Sequence, residues 1–331
     1  MTIAEGTTTM SEHRDVCPSS QLLATFAGQT VLVTGGSGFY GMNLLERLSG
    51  YGACVVSICR NQSAVPEAAK HRCEWIEADL ADRAQTSRLF ERARPSIIFH
   101  LTSASLGGPE LGNVGASVRG DLLPTVNLLE SALQCGASRV VLPCSMEEPY
   151  PVAGLDGELA IPETPYALSK VICGLYGRFF RRVYDLPVVV VRCFLTYGPY
   201  QKPYKLIPYV IRSLDRGEAP QLSSGTRLVD WVYVDDVVSA LLAAATAPRI
   251  PDGVLEIGTG EMRSIREVVM MIHGMMGGPP PVFSTAPARG HERVARIAPT
   301  CCALGWAPKT SLESGLRSTI KFYTSGLPAA R

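Results

Sequence analysis

Short apolar segments alternate with longer amphipathic segments over the first two thirds of the chain. The short segments are rich in β-branched residues, whereas the longer ones carry apolar residues at helical spacing. Nearly continuous apolar strands between helices predict a parallel sheet that is covered on both faces. Six strands are predicted here: Thr30–Thr34, Ala53–Ile58, Cys73–Glu77, Ser96–His100, Val140–Cys144 and Pro187–Phe194.

The pattern changes after residue 199, where elements shorten and proline and glycine become frequent. We predict an α/β fold: a Rossmann-type doubly wound parallel sheet over residues 26–199 and a smaller C-terminal α/β substrate lobe over 200–331. We expect the chain to cross between these lobes, and residues 1–25 to form a disordered tail. Further predicted elements are strands at Trp231–Val234 and Val254–Ile257, and helices at Asp121–Gly136, Tyr166–Tyr184, Asp235–Ala245, Ser264–Met276 and Leu312–Ser325.

A glycine-rich turn follows the first predicted strand and leads directly into an apolar helix. One glycine makes a tight turn, another lets the backbone approach a pyrophosphate, and a third lets helix and strand pack closely. The start of the helix offers free N–H groups to phosphate oxygens. We therefore predict that a dinucleotide binds here, at Gly35, Gly38, Phe39, Tyr40 and Gly41.

The composition narrows the class of protein. The 331 residues carry a formal net charge of +1, which gives no hint of a nucleic-acid or membrane surface. No apolar run is long enough to span a bilayer, and the first 25 residues do not read as a signal peptide. The ten cysteines show no metal-ligand spacing. Cys54, Cys144 and Cys193 lie in apolar runs and are predicted to be buried thiols, which favours the cytoplasm.

Several motifs together resemble one known family. The spacing Gly-x-x-Gly-x-x-Gly, the segment Pro165-Tyr166-Ala167-Leu168-Ser169-Lys170, and the turn Tyr197-Gly198-Pro199 are similar to those of extended short-chain dehydrogenase/reductases. This is the family of NAD(P)-dependent nucleotide-sugar epimerases and dehydratases. The resemblance covers roughly residues 29–325 and implies a nicotinamide cofactor and a nucleotide-diphosphate-sugar substrate.

Tyr166 and Lys170 are the most informative pair for the chemistry. Residues four apart lie on one face of a helix. An ammonium beside a phenol lowers the pKa of the phenol, because the phenolate gains a counter-charge. Such a tyrosine can exchange a proton with a sugar hydroxyl while hydride moves to or from a nicotinamide, and the lysine can also hold the nicotinamide ribose.

The cofactor is predicted to be NAD or NADP, with NADP slightly favoured. An acid near the end of the second strand is typical of NAD sites, whereas an Arg accommodates the extra phosphate of NADP. This chain has Arg60 and no acid there. The resemblance further implies cofactor contacts from Asp79 and Leu80 after the third strand, and from Leu101 and Thr102 after the fourth.

The segment after the fifth strand departs from the family pattern. The family places a catalytic Ser or Thr four residues before a Tyr, and here that position holds Met146, whose thioether cannot donate a hydrogen bond. Either Ser145 supplies the hydroxyl, or the enzyme works without it, or redox catalysis has been lost. Glu147 and Glu148 follow, where the family's sugar 4,6-dehydratases carry their acid and base; the alternative is that both solvate a loop.

Substrate motifs depart from the pattern elsewhere as well. Leu195 replaces a family Asn, Val229 replaces the Arg that grips the diphosphate, and Asp121 replaces an Asn in a helix. Arg227 and Arg289 are candidate diphosphate ligands, because substrate phosphates need fixed cations; a solvated surface position explains each of them equally well. With Met146 and Leu195, they form the predicted substrate site.

We therefore predict an epimerase or dehydratase that works through a 4-keto sugar, with Glu148 as the candidate base. One alternative is an NADPH-dependent 4-ketoreductase of deoxysugar biosynthesis, which Arg60 favours. A second is a non-catalytic cofactor-binding regulator, which Met146 favours. Helices Asp121–Ala132 and Tyr166–Tyr184 carry apolar residues on more than one face, which predicts a homodimer, although burial within one subunit explains them equally well.

Overall fold

The computed structural model describes residues 19–103, 108–147, 161–250, 253–286 and 292–325. Its strands alternate with helices over most of the chain, as the sequence pattern predicts. The strands are β1 (Thr30–Thr34), β2 (Cys54–Cys59), β3 (Glu74–Glu77), β4 (Ile97–His100), β5 (Arg139–Ser145), β6 (Val188–Cys193), β7 (Leu195–Tyr197), β8 (Gln221–Leu222), β9 (Leu228–Tyr233), β10 (Val254–Ile257), β11 (Met262–Ser264) and β12 (Val282–Phe283).

Seven of these strands form a parallel sheet in the order β10-β6-β5-β4-β1-β2-β3. Alternate residues of β1 enter opposite cores: Val31 and Val33 pack in one cluster and Leu32 in the other. The sheet is therefore covered on both faces, and the predicted doubly wound α/β class is confirmed. The strand order reverses between β1 and β4, and ligands bind outside the carboxyl ends of strands at such a point.

The helices lie between the strands and over their carboxyl ends. They are α1 (Ser19–Phe26), α2 (Phe39–Leu48), α3 (Glu67–Lys70), α4 (Arg83–Ala93), α5 (Gly112–Ser117), α6 (Leu123–Gln134), α7 (Pro165–Tyr184), α8 (Leu206–Asp215), α9 (Val234–Thr246), α10 (Ile265–Met276), α11 (Ile297–Leu304) and α12 (Leu312–Thr324). No helix in the described ranges has the length and apolar character that crossing a membrane requires.

Two elements differ from the sequence prediction. The strand predicted at Trp231–Val234 is instead β9, which begins at Leu228, and Val234 already starts α9. The helix predicted at Asp121–Gly136 begins nine residues earlier, at Gly112, and contains a π-helical turn at Val118–Leu122. The π turn directly precedes α6, in which Pro124 is the second residue and cannot donate a backbone hydrogen bond.

The chain crosses between its two halves. β10 comes after residue 199 but pairs with β6, so it completes the edge of the large sheet. Helix α1 begins inside the segment that was expected to be a loose tail, and its Phe26 is fully buried. Cys144 and Cys193 are buried, as predicted. The prediction is wrong for Cys54, which is exposed as the first residue of β2.

The C-terminal part adds two small sheets above the carboxyl ends of the large one. β9 lies between β11 and β7, and Leu195 of β7 pairs with Trp231 of β9. β8 and β12 form a separate pair. These strands join the core of the large sheet through residues such as Val229 and Trp231, so the small sheets are fixed over its ligand-binding edge.

Candidate active site

The glycine turn between β1 and α2 has no room for side chains. A Cβ on Gly41 would lie 2.2 Å from the carbonyl oxygen of Gly35, and a Cβ on Gly35 would lie 2.9 Å from the backbone of Leu101. Gly35 also has a left-handed φ of 67°, which favours glycine. Gly38 is the N-cap of α2 and has no side chain, so no side-chain cap occupies the N-terminus of this helix. This cradle fits a dinucleotide pyrophosphate.

Helix α7 carries the tyrosine and lysine to the same edge of the sheet. Its N-cap, Thr164, accepts a hydrogen bond from the N–H of Ala167 at 3.1 Å, and Pro165 suits the first helical position. Tyr166 and Lys170 then lie one turn apart, with Nζ of Lys170 5.9 Å from the centre of the Tyr166 ring. Lys170 also donates to the carbonyl oxygen of Thr102 at 3.5 Å, beside the glycine turn.

A serine hydroxyl meets the tyrosine from the end of β5. The side chain of Ser145 is hydrogen-bonded to that of Tyr166, and its oxygen accepts from the N–H of Glu147 at 3.2 Å. Met146 is buried in the core and its backbone oxygen accepts from Arg293 at 3.0 Å. The strand exit therefore presents Ser145 to the phenol, although the family pattern puts its hydroxyl at position 146.

Burial dominates the pKa of Tyr166. Loss of solvent raises this pKa above its ordinary value, and Lys170 and the Ser145 hydrogen bond lower it only in part; Glu147 and Asp121 raise it further. The sequence predicts correctly that Lys170 lowers the pKa of Tyr166. The expected net lowering of this pKa is wrong, because burial of the phenol outweighs the effect of Lys170.

A buried carboxylate completes the arrangement around the lysine. Oδ1 of Asp121 lies 3.2 Å from Nζ of Lys170, and the Asp121 side chain is fully buried. Burial lowers the pKa of Lys170, but Asp121 and Tyr166 outweigh this effect and raise the pKa above its ordinary value. The ammonium is thus held in its charged form. The sequence marked Asp121 only as a departure from the family pattern and gave no signal of this ion pair.

Two other side chains at this edge are ordered by hydroxyl groups. His100 at the end of β4 is bonded to Thr34 at 2.9 Å and to Thr125 at 3.0 Å, so it is a packed residue. Burial, with a smaller contribution from Lys170, lowers the pKa of His100 to about 3. The Tyr40 hydroxyl is bonded to Thr196 at 2.8 Å, so this side chain reaches across the crevice.

The predicted adenosine contacts lie along the next two strands. Arg60 is exposed directly after β2. Asp79 follows β3 and forms an ion pair with Arg119 at 2.7 Å. Leu80 is buried, and its backbone oxygen accepts from Asn127 at 2.8 Å. Arg60 and Asp79 can therefore meet a ligand at this edge, while the Leu80 side chain packs in the core.

The predicted substrate contacts are only partly brought together. Leu195 on β7 and Arg227, which directly precedes β9, are half-buried, and Val229 of β9 lies in the core. Arg293, which the sequence analysis did not single out, donates to the backbone of Met146 and therefore lies at the strand exit. Glu148 and Arg289 lie outside the described residues.

A dinucleotide cradle and a serine–tyrosine–lysine cluster at one sheet edge define a nicotinamide-dependent enzyme site. The model of the NAD dependent epimerase/dehydratase family matches residues 31–258, and this chain belongs to that family. The resemblance to extended short-chain dehydrogenase/reductases is thereby confirmed, as is the assignment as an enzyme.

Individual relatives span nearly the whole chain. A dTDP-glucose 4,6-dehydratase of Neisseria meningitidis is 30% identical over 88% of this chain and 92% of its own length. A UDP-glucose 4-epimerase of Thermotoga maritima, solved with UDP-glucose, superposes with a TM-score of 0.81 at 26% identity, covering 90% of this chain and all of that one (100%). A UDP-glucose 4-epimerase of Thermus thermophilus in complex with NAD gives a TM-score of 0.77, at 26% identity and the same coverage.

Proposed function

We propose that this enzyme oxidises the 4-position of a nucleotide-diphosphate sugar and reduces it again, through a 4-keto intermediate. The hydrogen bond between Ser145 and Tyr166, beside Lys170 and over the glycine turn, carries the proposal. Tyr166 takes the proton of the 4-hydroxyl and later returns one, while Lys170 stabilises the phenolate. A bound nicotinamide supplies the hydride acceptor and donor.

As an alternative ending to simple re-reduction of the 4-ketone, we propose that water is eliminated between the two redox steps. The returning hydride then adds to carbon 6 of the unsaturated ketone and a proton adds to carbon 5, so the 4-ketone remains in the product. A ketone at the 4-position acidifies the neighbouring C5–H, so a carboxylate can remove that proton while a carboxylic acid protonates the leaving 6-hydroxyl. Glu147 directly follows the strand exit that holds Ser145 and is exposed toward solvent. Glu148, the candidate base, is its neighbour in sequence. The dehydratase relative supports this step, and the epimerase structures support simple inversion at the 4-position as the second candidate.

Mass spectrometry of the product, together with its proton NMR spectrum, separates these reactions. The purified protein is incubated with dTDP-glucose and with UDP-glucose: a product lighter by one water indicates dehydration, and an unchanged mass with an inverted 4-hydroxyl indicates epimerisation. Tyr166→Phe should reduce either turnover by roughly a hundredfold or more. Full activity of Tyr166→Phe would contradict the proposed role of this tyrosine.

The choice between NAD and NADP is a separate proposal, in which NADP is slightly favoured. Its support is the exposed Arg60 after β2, where no acid is found between residues 59 and 66. An NADPH-dependent 4-ketoreductase is the corresponding alternative reaction. Cofactor released from the purified protein identifies the dinucleotide, and Arg60→Asp should then bind NADP more weakly while binding NAD at least as well. Stoichiometric consumption of added NADPH would indicate the reductase.

We propose that the small sheets and their loops hold the nucleotide part of the substrate. Arg227 and Arg289 remain the candidates for the diphosphate, and the position of Arg293 at the strand exit adds a third. Met146 and Leu195 would line the sugar side. Replacing each arginine by Gln should raise the KM for the nucleotide sugar while changing kcat less, if that residue binds the diphosphate.

We also propose a homodimer. Leu175, Phe179 and Val183 are four residues apart on α7 and are 49%, 46% and 53% exposed. Val114 and Val118 of the neighbouring helical segment are also exposed. An apolar face on two adjacent helices suits pairing with a second copy. Light scattering should give the dimer mass for the protein and the monomer mass for Phe179→Asp.

Localisation in the cytoplasm remains a proposal as well. The cysteines of the described residues are free thiols, which suits a reducing compartment. Fractionation of cells that express the tagged full chain would test it.

A further inference from the structure

Asp121 stands where the family pattern has an uncharged Asn. The role that we infer for Asp121 rests on the proposed function of Tyr166 and Lys170. Asp121 is the fourth residue of the π-helical turn at Val118–Leu122, and its carboxylate is fully buried at 3.2 Å from Nζ of Lys170. The same ammonium lies 5.9 Å from the centre of the Tyr166 ring. The Lys170 ammonium therefore lies beside both the Asp121 carboxylate and the Tyr166 phenol.

The backbone holds Asp121 in this position. Its carbonyl oxygen accepts from the hydroxyl of Thr125 at 2.7 Å and from the thiol of Cys173 at 3.6 Å. Cys173 belongs to α7, the helix that carries Tyr166 and Lys170. The π turn therefore contacts α7 through the Cys173 thiol as well as through the Lys170 ammonium, and α7 is the helix that carries the catalytic pair.

We propose that Asp121 is a positioning residue for the catalytic pair: it fixes the Lys170 ammonium and offsets part of its charge, so that Tyr166 keeps its proton to a higher pH than it would beside an uncharged residue. The physical reason is the sign of the added charge, because a buried anion near a phenol opposes formation of the phenolate. The effect of Asp121 on the pKa of Tyr166 has this direction.

Other groups face the same pair and must be considered with it. The nearby carboxylate of Glu147 opposes phenolate formation as Asp121 does, so the two effects add. Within the described residues, further titratable groups that interact with Tyr166 or Lys170 include Tyr40 on α2, His100 on β4, Cys144 on β5 and Cys173 on α7. Among the groups named here, Asp121 is the carboxylate that directly contacts Lys170.

The test is a pH titration of Tyr166 by phenolate absorbance, using the full-length protein without substrate. The spectrum of the Tyr166→Phe variant is subtracted in each background, which isolates this tyrosine from the other eleven of the twelve in the chain. Asp121→Asn, which is nearly isosteric, should move the Tyr166 titration to lower pH, because it removes a buried anion that opposes the phenolate. The pH profile of kcat/KM for the nucleotide sugar should move in the same direction.

Three further variants keep the test decisive. Asp121→Ser removes the charge in a second way and should shift the titration as Asn does, while Asp121→Glu retains the charge and should shift it far less. Glu130→Gln is the matched control: Glu130 is a carboxylate on α6, paired with Arg83 at the surface, and its loss should leave the titration unchanged. An unchanged or upward shift in Asp121→Asn, or equal shifts in Glu and Asn, would overturn the inference.

The outcome separates this inference from the proposed function. The absorbance titration needs no turnover, so it can succeed even if no nucleotide sugar reacts. Conversely, an inactive Tyr166→Phe combined with an unshifted Asp121→Asn would leave the catalytic proposal in place and remove the role of Asp121.

Discussion

Two regions meet at one edge of the large sheet: a cofactor side, formed by the glycine turn at 35–41, and a sugar side around Ser145 and Tyr166. The two regions differ in how far their residues depart from the family pattern. The glycines at positions 35, 38 and 41 keep the family spacing, whereas Met146, Asp121 and Leu195 depart from the family residues. On the cofactor side, glycine is required because the backbone is too close for a side chain. A Cβ on residue 41 would lie 2.2 Å from the carbonyl oxygen of Gly35. On the sugar side, a hydroxyl is needed, and the neighbouring Ser145 presents one to Tyr166.

The difference shows which requirements can be met by a neighbouring residue. No neighbouring residue can take over the role of a glycine in this turn. The space where a Cβ would lie is filled by backbone atoms, which have no alternative rotamer. A hydrogen-bond donor can move one position along a strand exit if the loop places its oxygen near the same partner. Departures on the sugar side therefore do not contradict membership of an enzyme family, and the regulator hypothesis loses the observation that favoured it.

The largest expected effect tests the cofactor side. Gly41→Ala improves intrinsic helix propensity within α2 but pushes a methyl group into the backbone of Gly35 and Gly36. The steric term should win, because backbone atoms cannot rotate away. We expect a loss of about 3 kcal/mol in the free energy of unfolding, measured by urea denaturation, together with loss of dinucleotide binding by calorimetry.

Gly50→Ala is the matched control for this substitution. Gly50 lies in the short 3-10 turn after α2, and a Cβ there meets nothing within 4 Å. Its unfolding free energy should change by no more than about 0.5 kcal/mol, with unaltered cofactor affinity. If Gly41→Ala behaved like Gly50→Ala, the steric account of the glycine turn would be wrong.

The fold was largely predictable because period and length distinguish buried strands from amphipathic helices. β1 and β10 have the predicted bounds, and the other large-sheet strands differ by a residue or so at their ends. The π turn at Val118–Leu122 was not predictable, because a proline indicates a helix boundary more readily than a local widening. The early end of β9 at Tyr233 also escaped prediction, since Val234 suits a strand and a buried helix equally well.

The site was predictable where a motif specifies side-chain chemistry at fixed spacing, as for Tyr166 and Lys170. It was not predictable where residues distant in sequence meet. Asp121 and Lys170 are separated by 49 positions along the chain, and Arg293 lies 147 positions from the Met146 backbone that it contacts. The net pKa shift of Tyr166 also needed the structure, because it depends on burial as well as on the adjacent charge.

The next prediction tests the sugar side. Ser145→Ala removes the hydroxyl bonded to Tyr166, and turnover should fall by roughly ten- to hundredfold, the usual cost of a hydrogen bond to a group that becomes charged. Met146→Leu keeps the apolar volume of a buried side chain and should cost less than about 1.5 kcal/mol of stability. Steady-state kinetics and urea denaturation measure the two effects separately. Undiminished turnover in Ser145→Ala would contradict our assignment of the hydroxyl donor.

His100 joins the two sides, because its ring is bonded to Thr34 next to the glycine turn and to Thr125 near Asp121. Burial lowers the pKa of His100 to about 3 from its ordinary value of 6.5. Between these values the unfolded chain takes up a proton that the folded chain does not. The contribution of buried His100 to the free energy of unfolding is therefore complete above about pH 6.5. It falls as the pH drops toward 3, by at most about 1.4 kcal/mol per pH unit.

His100→Gln can keep bonds to both hydroxyls but cannot titrate, so urea denaturation across this range should show a shallower loss of stability with acid. His71 is exposed, and His71→Gln should keep the slope of the unaltered protein. Equal slopes in all three proteins would mean that burial of His100 does not contribute to the loss of stability with acid.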